Sequence, residues 1–221
     1  IGLGNIWRFP YLAGSNGGAA FVFIYLLIVL TIGISVMLAE FTIGRNTNLN
    51  AVGAFQKLKG GPWQIAGWMG VVAGFVILSY YSVIGGWTIK YILSSFTDMI
   101  STSTDSTSYF LSFIANGPQT ILYHAIFMAI TILVVYRGVG KGIEDTCKIL
   151  MPALFLLLVI LIMRAVTLPG ALAGINFYLN PDFSKVTGKT ILAALGQAFF
   201  SLSLGMGCMI TYGSYIKSKK E

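Results

Sequence analysis

The chain has 221 residues, of which 56% are hydrophobic and only 10% charged, and its mean hydropathy is +0.82. A water-soluble globule carries roughly 25% charged residues on its surface, so this composition excludes most soluble enzyme classes and points to a membrane protein. The excess of 14 Lys and Arg over 7 Asp and Glu would suggest nucleic acid in a soluble chain. Here it fits the basic bias of cytoplasmic loops, with the lipid bilayer, and no nucleic acid, as the expected partner.

A bilayer core of about 30 Å takes about 20 helical residues. No charge occurs over 9–39, 60–89, 106–136 or 190–216, and a further apolar stretch has its uncharged centre between Lys148 and Arg164. Pro10 and the cluster Gly14-Ser15-Asn16-Gly17-Gly18 divide the first stretch. The expected architecture is an all-α, polytopic helical membrane protein forming a single transmembrane domain over 1–221, with spans at about 3–15, 19–45, 61–96, 118–136, 143–168 and 190–217. Loop charge alternates in support: Arg45, Lys57 and Lys59 on one side, Asp98 and Asp105 on the other, then Arg137 and Lys141, and finally Lys217, Lys219 and Lys220. The connection 169–189 fits least well, because Lys185 and Lys189 outnumber Asp182 on the outer side. The chain opens at Ile1, inside a Gly-rich apolar segment, and reads as a fragment of a longer protein.

Cys147 and Cys208 sit in or beside apolar stretches without redox or metal spacing, so no disulfide is expected. Gly138-x-Gly140-x-Gly142 lacks the last glycine of a dinucleotide fingerprint, and Phe183 stands at the first glycine of a Walker pattern before Gly188-Lys189-Thr190. His124 has no partner at ligand spacing and reads as a packed histidine. Gly70 and Gly74 form a GxxxG pattern, whose ordinary meaning is close helix packing. No nucleophile set or metal cluster appears, so an enzyme is not expected.

Two segments depart from plain membrane helix: Ile1-Gly2-Leu3-Gly4-Asn5 and Ser201-Leu202-Ser203-Leu204-Gly205-Met206-Gly207. Each places Gly beside short polar side chains at bilayer depth, where opened backbone is tolerated only against protein or a watery cavity. Such pairs of broken helices offer carbonyls to a cation and half-helix N–H groups to an anion. Glu40 near a span end and Tyr80-Tyr81 in mid-span are further polar groups that need partners.

The strings Gly2-Leu3-Gly4-Asn5-Ile6-Trp7-Arg8-Phe9-Pro10-Tyr11, Asn16-Gly17-Gly18-Ala19-Ala20-Phe21, Glu40 with Gly44-Arg45, Tyr80-Tyr81 with Trp87, and Gly196-Gln197-Ala198-Phe199-Phe200-Ser201-Leu202-Ser203-Leu204-Gly205 resemble the neurotransmitter:sodium symporter family. The resemblance implies a leucine-transporter-like inverted-repeat fold, truncated to about six helices with the first and sixth unwound. It implies sodium-coupled symport of an amino acid, hydrophobic or aromatic, across the cytoplasmic membrane by alternating access. The alternatives are a polytopic channel, an accessory membrane subunit, or a truncated transporter without function.

By the same resemblance, Leu3, Gly4, Ile77, Tyr81, Phe200, Ser203 and Met206 would bind substrate. The first sodium ion would be ligated by Asn5 and Ser201, and the second by the Ile1 carbonyl. Arg8 and Phe200 would gate the site, and Glu40 would support the unwound first helix. Tyr25, Gln197 and Ser201 resemble three parts of the family's chloride site, whose deciding residue would fall in a seventh helix. Gly2 stands where monoamine carriers have Asp, which favours an amino acid. Met206 replaces a bulkier aromatic of some carriers and can adapt to several side chains. The short outer loop without cysteine or sequon suggests a bacterial or archaeal member.

Overall fold

The structure is a computed structural model that describes residue 2, residues 4–96 and residues 105–216. Among the described residues it is helical throughout, without a strand. The elements are α1 (Phe9–Ser15), α2 (Ala19–Ile28), α3 (Ile34–Thr47), α4 (Ala51–Leu58), α5 (Gln64–Phe96), α6 (Ser106–Ala115), α7 (Gly117–Tyr136), α8 (Asp145–Val166), α9 (Ala171–Leu179), α10 (Gly188–Leu202) and α11 (Cys208–Ser214). Wide π-helical turns join this set at Gly4–Arg8, Val29–Gly33 and Val139–Glu144. Four helical runs are long and apolar enough to cross a membrane: Ala19–Thr47, Gly61–Phe96, Gly117–Tyr136 and Gly142–Val166. Apolar side chains such as Leu156, Leu157 and Leu161 on α8 are more than half exposed, the arrangement a lipid solvent permits.

The helix ends follow local chemistry. The Asn50 side chain caps α4 by accepting from the Gly53 amide at 2.9 Å, and Thr187 with Thr190 forms a reciprocal capping box at the start of α10. At the other end of α10 Ser203 adopts a left-handed conformation (φ 54°), followed by positive φ at Gly205 (76°) and Gly207 (71°). That backbone cannot continue a helix, so the apolar stretch from 190 on is split into α10 and α11.

The chain forms two compact units. The first holds residues up to Phe75 and from Pro169 onward; the second is Val76–Leu168. In the first, Ala13, Phe21, Ile28, Ala194 and Ala198 make one core, and Ala51, Ala54 and Ile210 a smaller one. The α3–α11 crossing is close on both sides. A Cβ on Gly44 would collide with the Ile210 carbonyl, and one on Gly213 would lie 2.7 Å from the Phe41 carbonyl oxygen. Small residues let two backbones touch, the packing available where lipid competes equally for apolar side chains. Outside these helices, Lys185 pairs with Asp182 at 3.1 Å, which neutralises one of the lysines of the 169–189 connection locally.

In the second unit α5 and α7 cross at Gly86, where a Cβ would lie 2.7 Å from the His124 backbone nitrogen. Trp87 packs edge-on against Phe110 at 5.2 Å, and Tyr91 against Tyr109 at 5.9 Å. His124 is thus a packed histidine, although its Nδ1 and the Trp87 Nε1 are buried without a hydrogen-bond partner among the described residues.

Candidate functional site: two broken helices and a buried glutamine

The first break is the π-helical turn Gly4–Arg8, which opens the backbone before α1. The Gly2 carbonyl accepts from the amides of Asn5 (2.9 Å) and Ile6 (3.2 Å). The second is the stretch 203–207 between α10 and α11. Gln197, fully buried on α10, ties the two together. Its Nε2 donates to the Gly4 carbonyl at 3.2 Å and to Ser201 Oγ, one turn along, also at 3.2 Å. Ser201 Oγ in turn donates to Asn5 Oδ1 at 2.8 Å.

Two neutral side-chain oxygens, Asn5 Oδ1 and Ser201 Oγ, therefore face each other between the broken helices. A hard monovalent cation prefers oxygen donors of this kind, and the hydroxyl can turn a lone pair toward it. Gln197 Oε1 is buried without a partner among the described residues, an acceptor still open to a donor or a cation.

Phe200 covers this place. Its ring lies so close to Gly4 that an added Cβ would overlap it, and the Arg8 guanidinium stands 5.3 Å from the ring centroid. Any side chain at position 4 would have to displace that ring. Farther along the turn, the Gly205 amide donates to Glu40 Oε1 at 2.7 Å. Glu40 is only 8% exposed, and its Oε2 is buried with no partner among the described residues. Its visible bond is thus to the unwound sixth segment. In the first turn of α11, Thr211 donates its amide and hydroxyl to the Gly207 carbonyl.

Of the residues singled out in the sequence, Gly4, Asn5, Arg8, Gln197, Phe200 and Ser201 come together here. Ser203 is the left-handed cap of α10, and Met206 lies in the turn beyond it. Tyr25 packs edge-on against Phe9 at 4.8 Å, and among the described residues it shares no hydrogen bond with Gln197 or Ser201. Ile77 and Tyr81 belong to the second unit, one turn apart on α5, both half-buried. Ile1 and Leu3 lie outside the described residues. Sequence reading missed the Gln197–Gly4 bond and the partners of Gly70 and Gly207; buried glutamine and glycine leave no periodic signal.

Paired interrupted helices with polar groups turned into the gap, among helices of membrane length, define a multi-pass membrane protein with the kind of broken-helix site that membrane transporters use. The comparisons agree. The model of the sodium:neurotransmitter symporter family matches residues 1–116 and 112–221. An uncharacterised sodium-dependent transporter of Bacillus subtilis, YhdH, is 46% identical over 219 residues, covering 98% of this chain and 49% of its own length. An archaeal counterpart from Methanocaldococcus jannaschii, MJ1319, is 40% identical, covering 100% of this chain and 47% of its own. Among solved structures, MhsT in complex with L-phenylalanine superposes with a TM-score of 0.91 at 50% identity, over 99% of this chain and 50% of MhsT. The chain belongs to the sodium:neurotransmitter symporter family, a family of transporters and not of enzymes, and has the all-α fold of its structural neighbour. It spans about half the length of the relatives it matches.

Proposed function

We propose that the protein couples sodium to the uptake of an amino acid, hydrophobic or aromatic, across the cytoplasmic membrane by alternating access. The observation that carries this reading is the meeting of Asn5 Oδ1 and Ser201 Oγ, 2.8 Å apart, between two broken helices. In this reading both ligate one sodium ion, and the carboxylate of the substrate completes its shell. The amides near Leu3 and Gly4 and the Tyr81 hydroxyl hold that carboxylate. The Ile1 carbonyl serves a second sodium ion. Ile77, Phe200, Ser203 and Met206 line the side-chain pocket, with Phe200 and Arg8 as a gate and Glu40 as a brace. The bound L-phenylalanine of MhsT and the sodium dependence of the bacterial and archaeal relatives support the choice of substrate and ion.

The test is binding of a panel of labelled amino acids to the purified gene product, in sodium and with potassium replacing it. Sodium-dependent binding of a hydrophobic amino acid supports the proposal. Folded protein that binds none in either salt sinks it.

A further inference from the structure

Between α10 and α11 the turn that carries Met206 is held by neighbours that the proposed site does not include. A Cβ on Gly70 of α5 would lie 3.0 Å from the Met206 carbonyl carbon, 3.2 Å from the Gly207 nitrogen and 3.3 Å from the Gly205 oxygen. On α4, Ala51 presents its Cβ to Gly207, where an added methyl would come within 2.6 Å of it. These two helices are themselves locked together, because a Cβ on Gly67 would approach the Val52 and Ala51 backbone to 2.7–2.8 Å.

The contacts differ in kind. At Gly67 a methyl would meet backbone on both counts, and at Gly207 it would also need a left-handed conformation (φ 71°). At Gly70 the overlap is small enough for the turn to give by a few tenths of an ångström. Room for that shift exists, since Met206 and Gly207 border a cavity of about 520 Å³ whose wall includes Trp68, Val71 and Thr211.

We propose that Gly70 and Ala51 are a specificity-determining pair that acts through position: they set where the Gly205–Gly207 turn sits, and thereby how far Met206 reaches into the substrate's side-chain pocket. The proposal rests on the transport reading for the pocket, but not for the seat itself. Interiors transmit strain because they are close-packed, and α4 and α5 are packed on each other where they meet the turn, so a methyl added at Gly70 pushes the turn away from this pair of helices and a methyl removed at Ala51 lets it settle toward them.

The experiment compares G70A and A51G with the unmodified gene product, measuring thermal stability, sodium-dependent affinity for phenylalanine and for alanine, and hydrogen exchange of the 204–208 backbone. The expected result is two folded variants whose phenylalanine-to-alanine affinity ratios shift in opposite directions, each by roughly three- to tenfold, the scale of one methylene in a pocket. Sodium dependence is retained, and exchange over 204–208 changes in both. Ratios that stay unchanged, or shift the same way in both variants, overturn the proposal. Unmodified protein that binds no amino acid refutes the transport reading instead; the seat is then judged by exchange alone, and unchanged exchange over 204–208 overturns it. If G70A does not fold, A51G, which adds no atoms, decides by the same two readouts.

Discussion

Glu40 and Gly205 are 165 residues apart in the chain and joined by a 2.7 Å hydrogen bond, the carboxylate accepting from the backbone amide where the sixth segment has no helix to satisfy it. An unwound stretch at membrane depth leaves N–H groups without intrahelical partners, and a buried carboxylate is a strong acceptor for one of them. Replacing Glu40 with Ala strands the Gly205 amide. The expected loss is about 1–3 kcal/mol, with E40Q, which keeps an acceptor oxygen, losing less. Thermal unfolding in detergent checks this; an E40A protein as stable as the parent would show that the bond carries no weight.

Asn5 and Ser201 share one bond and, in the proposed function, one ion. N5A removes both the acceptor of Ser201 and a cation ligand. Apparent sodium affinity and amino-acid affinity are expected to fall together, because two ligands coupled through one site change each other's affinity by the same factor. Titration of each at several concentrations of the other measures it. Loss of substrate affinity with an unaltered sodium dependence rules out the assigned role.

Gly4 is expected to tolerate no side chain. In G4A the new Cβ overlaps the Phe200 ring, which has to rotate away from Arg8. Substrate affinity should drop by at least about tenfold, the usual consequence of misplacing a group that closes a site. The double variant G4A/F200L, with a smaller side chain opposite, should recover part of the loss. No recovery points to the backbone of the turn and not to the ring.

The α3–α11 crossing predicts a different phenotype. In G44A and G213A the added Cβ meets backbone, the Ile210 carbonyl in one case and Phe41 in the other, and backbone cannot swing aside as a side chain does. Each substitution is expected to cost about 3 kcal/mol, the upper end of overpacking. The melting temperature and the monodispersity of the purified variants read this out. Wild-type values for both would mean that the helices separate freely.

Asp105 lies outside the spans and caps α6. Its carboxyl is held below the usual carboxylate range first by the Ser108 hydroxyl, then by the Thr107 and Ser108 amides. A lowered folded value means that the capping contribution is present above the ordinary carboxylate pKa and is lost as pH falls through the folded one. Exchange protection of the first turn of α6, corrected for intrinsic rates, should therefore hold down to the ordinary carboxylate pKa of about 3.9 and fall only below it. In D105N, whose cap does not titrate, it should not fall.

Much of this architecture is legible in the residues one after another. Uncharged stretches of bilayer length locate the helices, because a bilayer imposes length and apolarity on each span separately. Gly2-Leu3-Gly4-Asn5 and Ser201 to Gly207 mark the breaks, because each sets Gly beside short polar side chains at membrane depth. Asn50, Asp105 and Thr187 announce helix starts through side chains that bond only three residues on. What faces what is another matter. Gln197 against Gly4, Glu40 against Gly205 and Gly44 against Ile210 join positions far apart in the chain, and no periodicity encodes them. Gly70 and Gly74 look alike as a pattern, yet a Cβ on Gly70 would press on the sixth-segment turn while one on Gly74 would meet nothing within 4 Å among the described residues. Local chemistry and the lipid solvent specify helices, ends and breaks from sequence alone. In a membrane, hydrophobicity does not choose between lipid and another helix, so the close approach of small residues and the buried hydrogen bonds of Gln197, Ser201 and Glu40, which exist only in three dimensions, decided which broken segments met and which oxygens came to share one place.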